Sequence, residues 1–137
     1  MADTVRKIDY RYATISDKPG EGFKLTAALR EAGVNLVAFS AFPTAKGKSQ
    51  AVLVVESDER LTRAAREAKI DLSDRRRAFL IQGDDRPGAM ADILQKLGAA
   101  KINITATDAV CAGAGRYGCI LWVKPEMYEA AARALGV

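Results

Sequence analysis

Apolar positions along the chain switch between two periods. From Val5 to Ser16 they alternate in part (Ile8, Tyr10, Tyr12, then Ile15), and the β-branched and aromatic content predicts a strand. From Gly20 to Ala32, Leu25, Ala28, Leu29 and Ala32 recur at the spacing of one helix face. Gly33 is placed to end that helix in the left-handed conformation. Val34–Phe42, apolar on both faces, and Gln50–Val55 predict two further strands, and the polar turn Pro43–Ser49 makes them a hairpin. Ser57 offers an N-cap to a second helix reaching Lys69, with Asp58 and Glu59 in its first turn and Leu61, Ala64, Ala65 and Ala68 on one face. Ile70–Leu72 reads as a short fourth strand. This order, β-α-β-β-α-β, is the ferredoxin-like arrangement.

The order then recurs. Arg77–Gln82 is a strand, and Pro87–Ala100 a helix with Met90, Ile93, Leu94 and Leu97 on one face. Ile102–Cys111 and Tyr117–Val123 form the hairpin, and Pro125–Leu135 is the last helix, with Pro125 as its first residue. An offset of 68 positions carries Asp17-Lys18-Pro19-Gly20 onto Asp85-Arg86-Pro87-Gly88, and Gly33-Val34-Asn35-Leu36 onto Lys101-Ile102-Asn103-Ile104. A repeat this long is a duplicated small domain rather than a solenoid unit. The expected fold is α+β: two ferredoxin-like units in tandem, residues 1–73 and 74–137, with antiparallel sheets and helices on one face. No strand can be placed after the last helix. The second sheet must therefore accept a short edge, borrow a strand from the first half, or pair with another chain.

Composition narrows the function more than the fold. The 137 residues are 49% hydrophobic and 28% charged, as in a soluble globular protein. No apolar run approaches a membrane span, no signal-peptide core stands at the start, and the expected address is the cytoplasm. The net charge of +4 is spread over both halves, which argues against nucleic acid as a partner. With no histidine, His triads, His bases and His metal sites are excluded. No nucleophile or carboxylate pair stands with a convincing base, so neither catalysis nor a cofactor or metal is expected.

Asp-x-Pro-Gly can be a turn only: Asp bonds backbone amides, Pro starts the helix and Gly permits close packing. Its functional reading adds that a helix N-terminus has unpartnered N–H groups and partial positive charge, and so can hold a carboxylate. The Asn that opens the next strand can likewise be a plain polar residue at a helix exit. Strand and helix order puts it at the opposite end of the unit from the loop, so it can reach a ligand only from a neighbouring unit.

Asp-[Lys/Arg]-Pro-Gly after a strand, an amphipathic helix, then Ala-Gly-Val-Asn-Leu or its variant resembles the ACT domain, over about residues 8–72 and again over 76–137. The resemblance implies a regulatory, non-catalytic module that binds an amino acid or similar small metabolite between paired units; the small halves and the missing last strand lead one to expect that the halves pack together or that the chain forms a homodimer. With no catalytic domain attached, the chain resembles the stand-alone tandem kind. Carried over, the ligand loops are Asp17, Lys18, Pro19 and Gly20, and Asp85, Arg86, Pro87, Gly88 and Ala89. The pocket partners are Asn35 and Leu36, and Asn103 and Ile104. Loop amides would hold the ligand carboxylate, and an Asn carbonyl could accept from its ammonium group. Glu21 sets an anion beside the first loop, which favours the second. Lys101, where the first copy has Gly33, suggests a differently shaped helix end. The resemblance also admits a second function, a protein-interaction regulator of a metabolic enzyme or transcription factor, on the precedent of repressor partners of the glycine-cleavage type.

Other features have plainer readings. Gly113-Ala114-Gly115-Arg116-Tyr117-Gly118 lies between two strands and lacks a Lys-Ser/Thr ending, so it is a hairpin turn rather than a phosphate loop. Cys111 and Cys119 read as small apolar packing residues. Arg60, Arg63 and Arg66 share one helix face, and with Arg75-Arg76-Arg77 read as solvated surface. The stacked aromatics of an RNA-binding sheet are missing from the strands.

Overall fold

The computed structural model describes residues 3–137. Its elements run β1 (Thr4–Ser16), α1 (Glu21–Glu31), β2 (Leu36–Pro43), β3 (Lys48–Val55), α2 (Asp58–Ala68), β4 (Asp71–Leu72), β5 (Arg76–Asp84), α3 (Ala89–Ala99), β6 (Ala106–Gly113), β7 (Arg116–Trp122), a 3₁₀ turn at Pro125–Met127, and α4 (Tyr128–Leu135). The fold is α+β, with the β-α-β-β-α-β pattern twice. Residues 9–76 form one compact unit, and residues 77–137 form the other together with residues 3–8. A cut at 73/74 leaves all of β1 in the first unit. Instead, the start of β1 lies beside β5 and Val5 packs on the carboxy-terminal core. The place beside β5 is thus filled by the start of β1.

In the unit of residues 9–76, β3 lies between β1 and β2, and β4 pairs with the other side of β1, all antiparallel. Ala13, Ala51 and Leu53 face Leu25 and Leu29 of α1 and Leu61 and Ala64 of α2. In the carboxy-terminal unit, β7 pairs antiparallel with β5 and β6. There Phe79, Ile81, Cys119 and Leu121 face Ile93 and Leu97 of α3 and Tyr128, Ala131 and Leu135 of α4. In both units the two helices cover the face to which Leu53, Phe79, Ile81 and Leu121 point, while Val52, Val54, Leu80, Ile120 and Trp122, at the alternate positions of the same strands, are buried as well.

Several local expectations change. β2, apolar on both faces, is an edge strand, with Phe39 and Phe42 partly in solvent. The second hairpin strand starts at Ala106, so Ile102 and Asn103 lie in the loop before it, Ile102 buried and Asn103 exposed. Ala68 and Leu94 fall outside the buried helix faces. Ser57 does cap α2, its Oγ accepting from the Arg60 amide at 3.1 Å. Cys119 packs in the core as expected, but Cys111 is exposed on β6.

Candidate functional site

Each Asp-x-Pro-Gly loop leaves the end of a strand and enters a helix. The geometry agrees to fine detail between the copies. The Asp17 amide donates to the Gly47 carbonyl at 3.0 Å, and the Asp85 amide to the Gly115 carbonyl at 2.8 Å, so each loop leans on the turn of its own hairpin. Pro19 and Pro87 were expected in the first helical turn. They precede it, and the N-cap is glycine: Gly20 with φ 91° and Gly88 with φ 82°. A left-handed backbone rather than close packing calls for glycine here, because a Cβ at either site would meet nothing within 4 Å.

A glycine N-cap has no side chain to offer. Neither α1 nor α3 has a side-chain cap, in contrast to α2. The first amides of each helix, Gly22 and Phe23 in one and Met90 and Ala91 in the other, therefore lack an intrahelical acceptor. The helix dipole adds partial positive charge at the same point. The arrangement suits a carboxylate, and the open space over the glycines admits one.

The surroundings differ. Around the first loop, the Asp17 carboxylate accepts from Ser49 Oγ at 3.1 Å and Glu21 pairs with Lys24 at 3.0 Å. The charge of Glu21 is thus matched. Lys18 is exposed, and among the described residues no carboxylate pairs with it. Around the second loop, Arg86 binds Asp3 and Asp92. Arg116 binds Asp84 at 2.8 Å and holds that carboxyl below its usual range. Asp85 lies against the Cys111 thiol and pushes it up.

Asn35 and Asn103 are exposed, each just beyond the far end of its helix, while Leu36 and Ile104 rest on the unit's core. Each helix has 11 residues, so roughly 16 Å separate loop and asparagine. The structure brings Asp17–Gly20 together, and likewise Asp85–Ala89, but neither set is joined by the asparagine of its own unit.

The helix ends are built alike. The Gly33 amide donates to Arg30 O at 3.0 Å and the Val34 amide to Leu29 O at 2.9 Å; Lys101 and Ile102 repeat this with Gly98 and Leu97 at 3.0 and 2.9 Å. Lys101 adopts φ 59°, close to the 71° of Gly33. The expected difference in shape is absent, and the lysine instead bears the left-handed strain. Arg60 has more than a solvent role: its Nη1 donates to the Gly33 carbonyl at 3.1 Å.

Two clamps had no signal in the sequence. Arg11 on β1 donates two hydrogen bonds to the Asp58 carboxylate (2.7 and 2.9 Å) and one to the Ser73 carbonyl at 3.0 Å. Asp3 holds Arg86 across most of the chain's length. Partners separated by 47 and 83 residues belong to no periodic pattern, so neither pair was legible.

No protein-family model and no curated protein matches the sequence. Solved structures share the fold at low identity. A protein from Bacteroides thetaiotaomicron aligns over 96% of this chain and 88% of its own, with TM-score 0.83 and 15% identity. The ligand-free regulatory subunit of aspartate kinase from Thermus thermophilus aligns over 99% and 95%, with TM-score 0.66 and 21% identity. The regulatory subunit of the Thermus flavus enzyme gives 0.61 and 19% over the same shares, 99% and 95%. The chain therefore shares the fold of aspartate kinase regulatory subunits. No described helix is long and apolar enough to cross a membrane.

Proposed function

We propose that this chain is a non-catalytic, ACT-type regulatory protein that binds an amino acid or similar small metabolite. The observation that carries the reading is the duplicated loop, in which a left-handed glycine leads into a helix with no side-chain cap. Such a helix start is a carboxylate site when nothing else fills it. The ligand carboxylate would lie on the amides after Gly20 or Gly88, framed by Asp17, Lys18 and Pro19 or by Asp85, Arg86, Pro87 and Ala89. Its ammonium group would meet Asn35 beside Leu36, or Asn103 beside Ile104, from a second copy of the chain, since each asparagine stands a helix length from its own loop. The fold shared with proteins named as regulatory subunits supports this role.

Binding would shift the chain between states by its differential affinity for them, and a regulated enzyme or transcription factor would read the shift. A calorimetric and thermal-shift screen of the proteinogenic amino acids tests the reading. At least one should raise the melting temperature, and Gly88→Asp with Gly20→Asp should abolish the gain. Silence from every amino acid at millimolar concentration would refute it.

The exposed edge strands favour a second reading, a protein-interaction regulator without its own ligand. Phe39 is 45% and Val110 68% exposed, on β2 and β6. Capture of one partner with and without added amino acids, unaffected by the glycine substitutions, would favour it over the first.

A further inference from the structure

The loop before α3 differs from its copy in that its cation is already engaged. Asp3 sets both carboxylate oxygens on Arg86: Oδ1 accepts from Nη1 at 3.1 Å and Oδ2 from Nη2 at 3.2 Å. Nη2 also donates to Asp92 Oδ2 at 2.9 Å, and Nη1 to the Asp84 carbonyl at 3.0 Å. Two carboxylates against one guanidinium leave no positive charge for a third anion.

The seat of Asp3 is shaped for it. Its side chain is only 10% exposed. Gly83 lies beneath, and a Cβ there would collide with Asp3 Oδ1 and crowd Tyr117 Cε1 at 2.9 Å. Tyr117 is buried, and the group its hydroxyl faces is the Asp3 carboxylate. Burial, and next the nearby Asp3 carboxylate, push that phenol up to about 12, so a neutral donor stands beside the anion. Arg86 in turn holds the Asp3 carboxyl below its usual range. The loop before α1 has no such occupant.

We infer that Asp3 is an internal carboxylate that occupies the guanidinium of the carboxy-terminal loop, and that Arg86 pairs with an amino-acid carboxylate seated over the α3 amides only when the start of β1 releases it. The inference rests on the reading that these loops bind amino acids. A tethered carboxylate competes at an effective concentration of about millimolar or more, so it outcompetes a dilute ligand of similar chemistry. The resting chain would then bind chiefly through Asp17–Gly20.

Titration calorimetry of the full chain with each proteinogenic amino acid tests this on three proteins: wild type, Asp3→Ala, and Asp3→Ala with Gly88→Asp. Asp3→Ala should add a second equivalent of ligand per chain, or tighten a weak second site by at least about tenfold. The double variant should lose that gain. Asp3→Asn, which keeps the shape and removes the charge, should show a smaller gain in the same direction, and it stands in if Asp3→Ala misfolds. Folded Asp3 variants with wild-type stoichiometry and affinity would overturn the inference and leave the Asp17 loop standing. No heat from any amino acid with any of the proteins would overturn the underlying reading as well.

Discussion

The two units meet the same structural demand with different chemistry. Arg11 on β1 and Phe79 on β5 occupy equivalent places, one opposite Leu53 and the other opposite Leu121. Arg11 reaches Asp58 at the start of α2. Phe79 stacks on Tyr128 at the start of α4, with ring centroids 4.4 Å apart and planes 7° from parallel. The Tyr128 hydroxyl donates to the Ala78 carbonyl at 2.9 Å, and Arg77 lies over the ring at 4.0 Å. Either way the helix start is fastened to the strand. An ion pair is directional but must offset the desolvation of both charges, whereas stacked rings gain from burial itself. The topology sets the need for a clamp and leaves its chemistry open.

This contrast can be broken at several points. Phe79→Ala should cost most, about 3–5 kcal/mol in denaturant unfolding, because Phe79 is fully buried. Arg11→Ala should cost about 2 kcal/mol, the range of charge-assisted hydrogen bonds in a partly buried site. A cost for Arg11→Ala equal to that of Phe79→Ala would erase the distinction. The two should also differ with pH. Arg11 holds the Asp58 carboxyl below its ordinary value of 3.8. The stabilisation is therefore complete above that value and lost as pH falls through the lowered one. The gap between wild type and Arg11→Ala should close in acid, while the gap for Phe79→Ala should persist.

Smaller effects sharpen the comparison. Lys101→Gly should stabilise by about 1 kcal/mol by relieving a left-handed lysine, and Gly33→Lys should destabilise by at least as much, since Arg60 already approaches Gly33. Two thermal melts check the opposite signs. Arg66→Ala, on the exposed face of α2, should change stability by less than about 0.5 kcal/mol.

Legibility followed the range of the interaction. The alternation of β1, the 3.6-residue period of α1 and α3, the hairpin turns and the Ser57 cap are local, and the repeat made the helix and hairpin patterns visible twice. Sheet position is not local: Val34–Phe42 and Ile102–Cys111 carry core-like residues, yet β2 and β6 are edges, because only the pairing decides which strand is covered. The loops were legible as turns with an open helix start, from Asp, Pro and Gly in fixed order. Their occupancy was not, since Asp3 is an ordinary polar residue until the strand after it is placed beside β5. The conformation of Lys101 was misjudged for another reason: two backbone hydrogen bonds at the helix end outweigh the side chain's preference.

The sharing of β1 also sets an order of assembly. Residues 3–8 are synthesised well before β5, the strand beside which they lie. At about 5–20 residues per second, a bare strand end waits several seconds for β5 while residues 9–76 already have their partners. Closing a loop of that length costs entropy that only the finished carboxy-terminal core offsets. A bulky group placed directly ahead of residue 3 would therefore hinder the unit of residues 77–137 and leave residues 9–76, nearer in sequence, largely untouched.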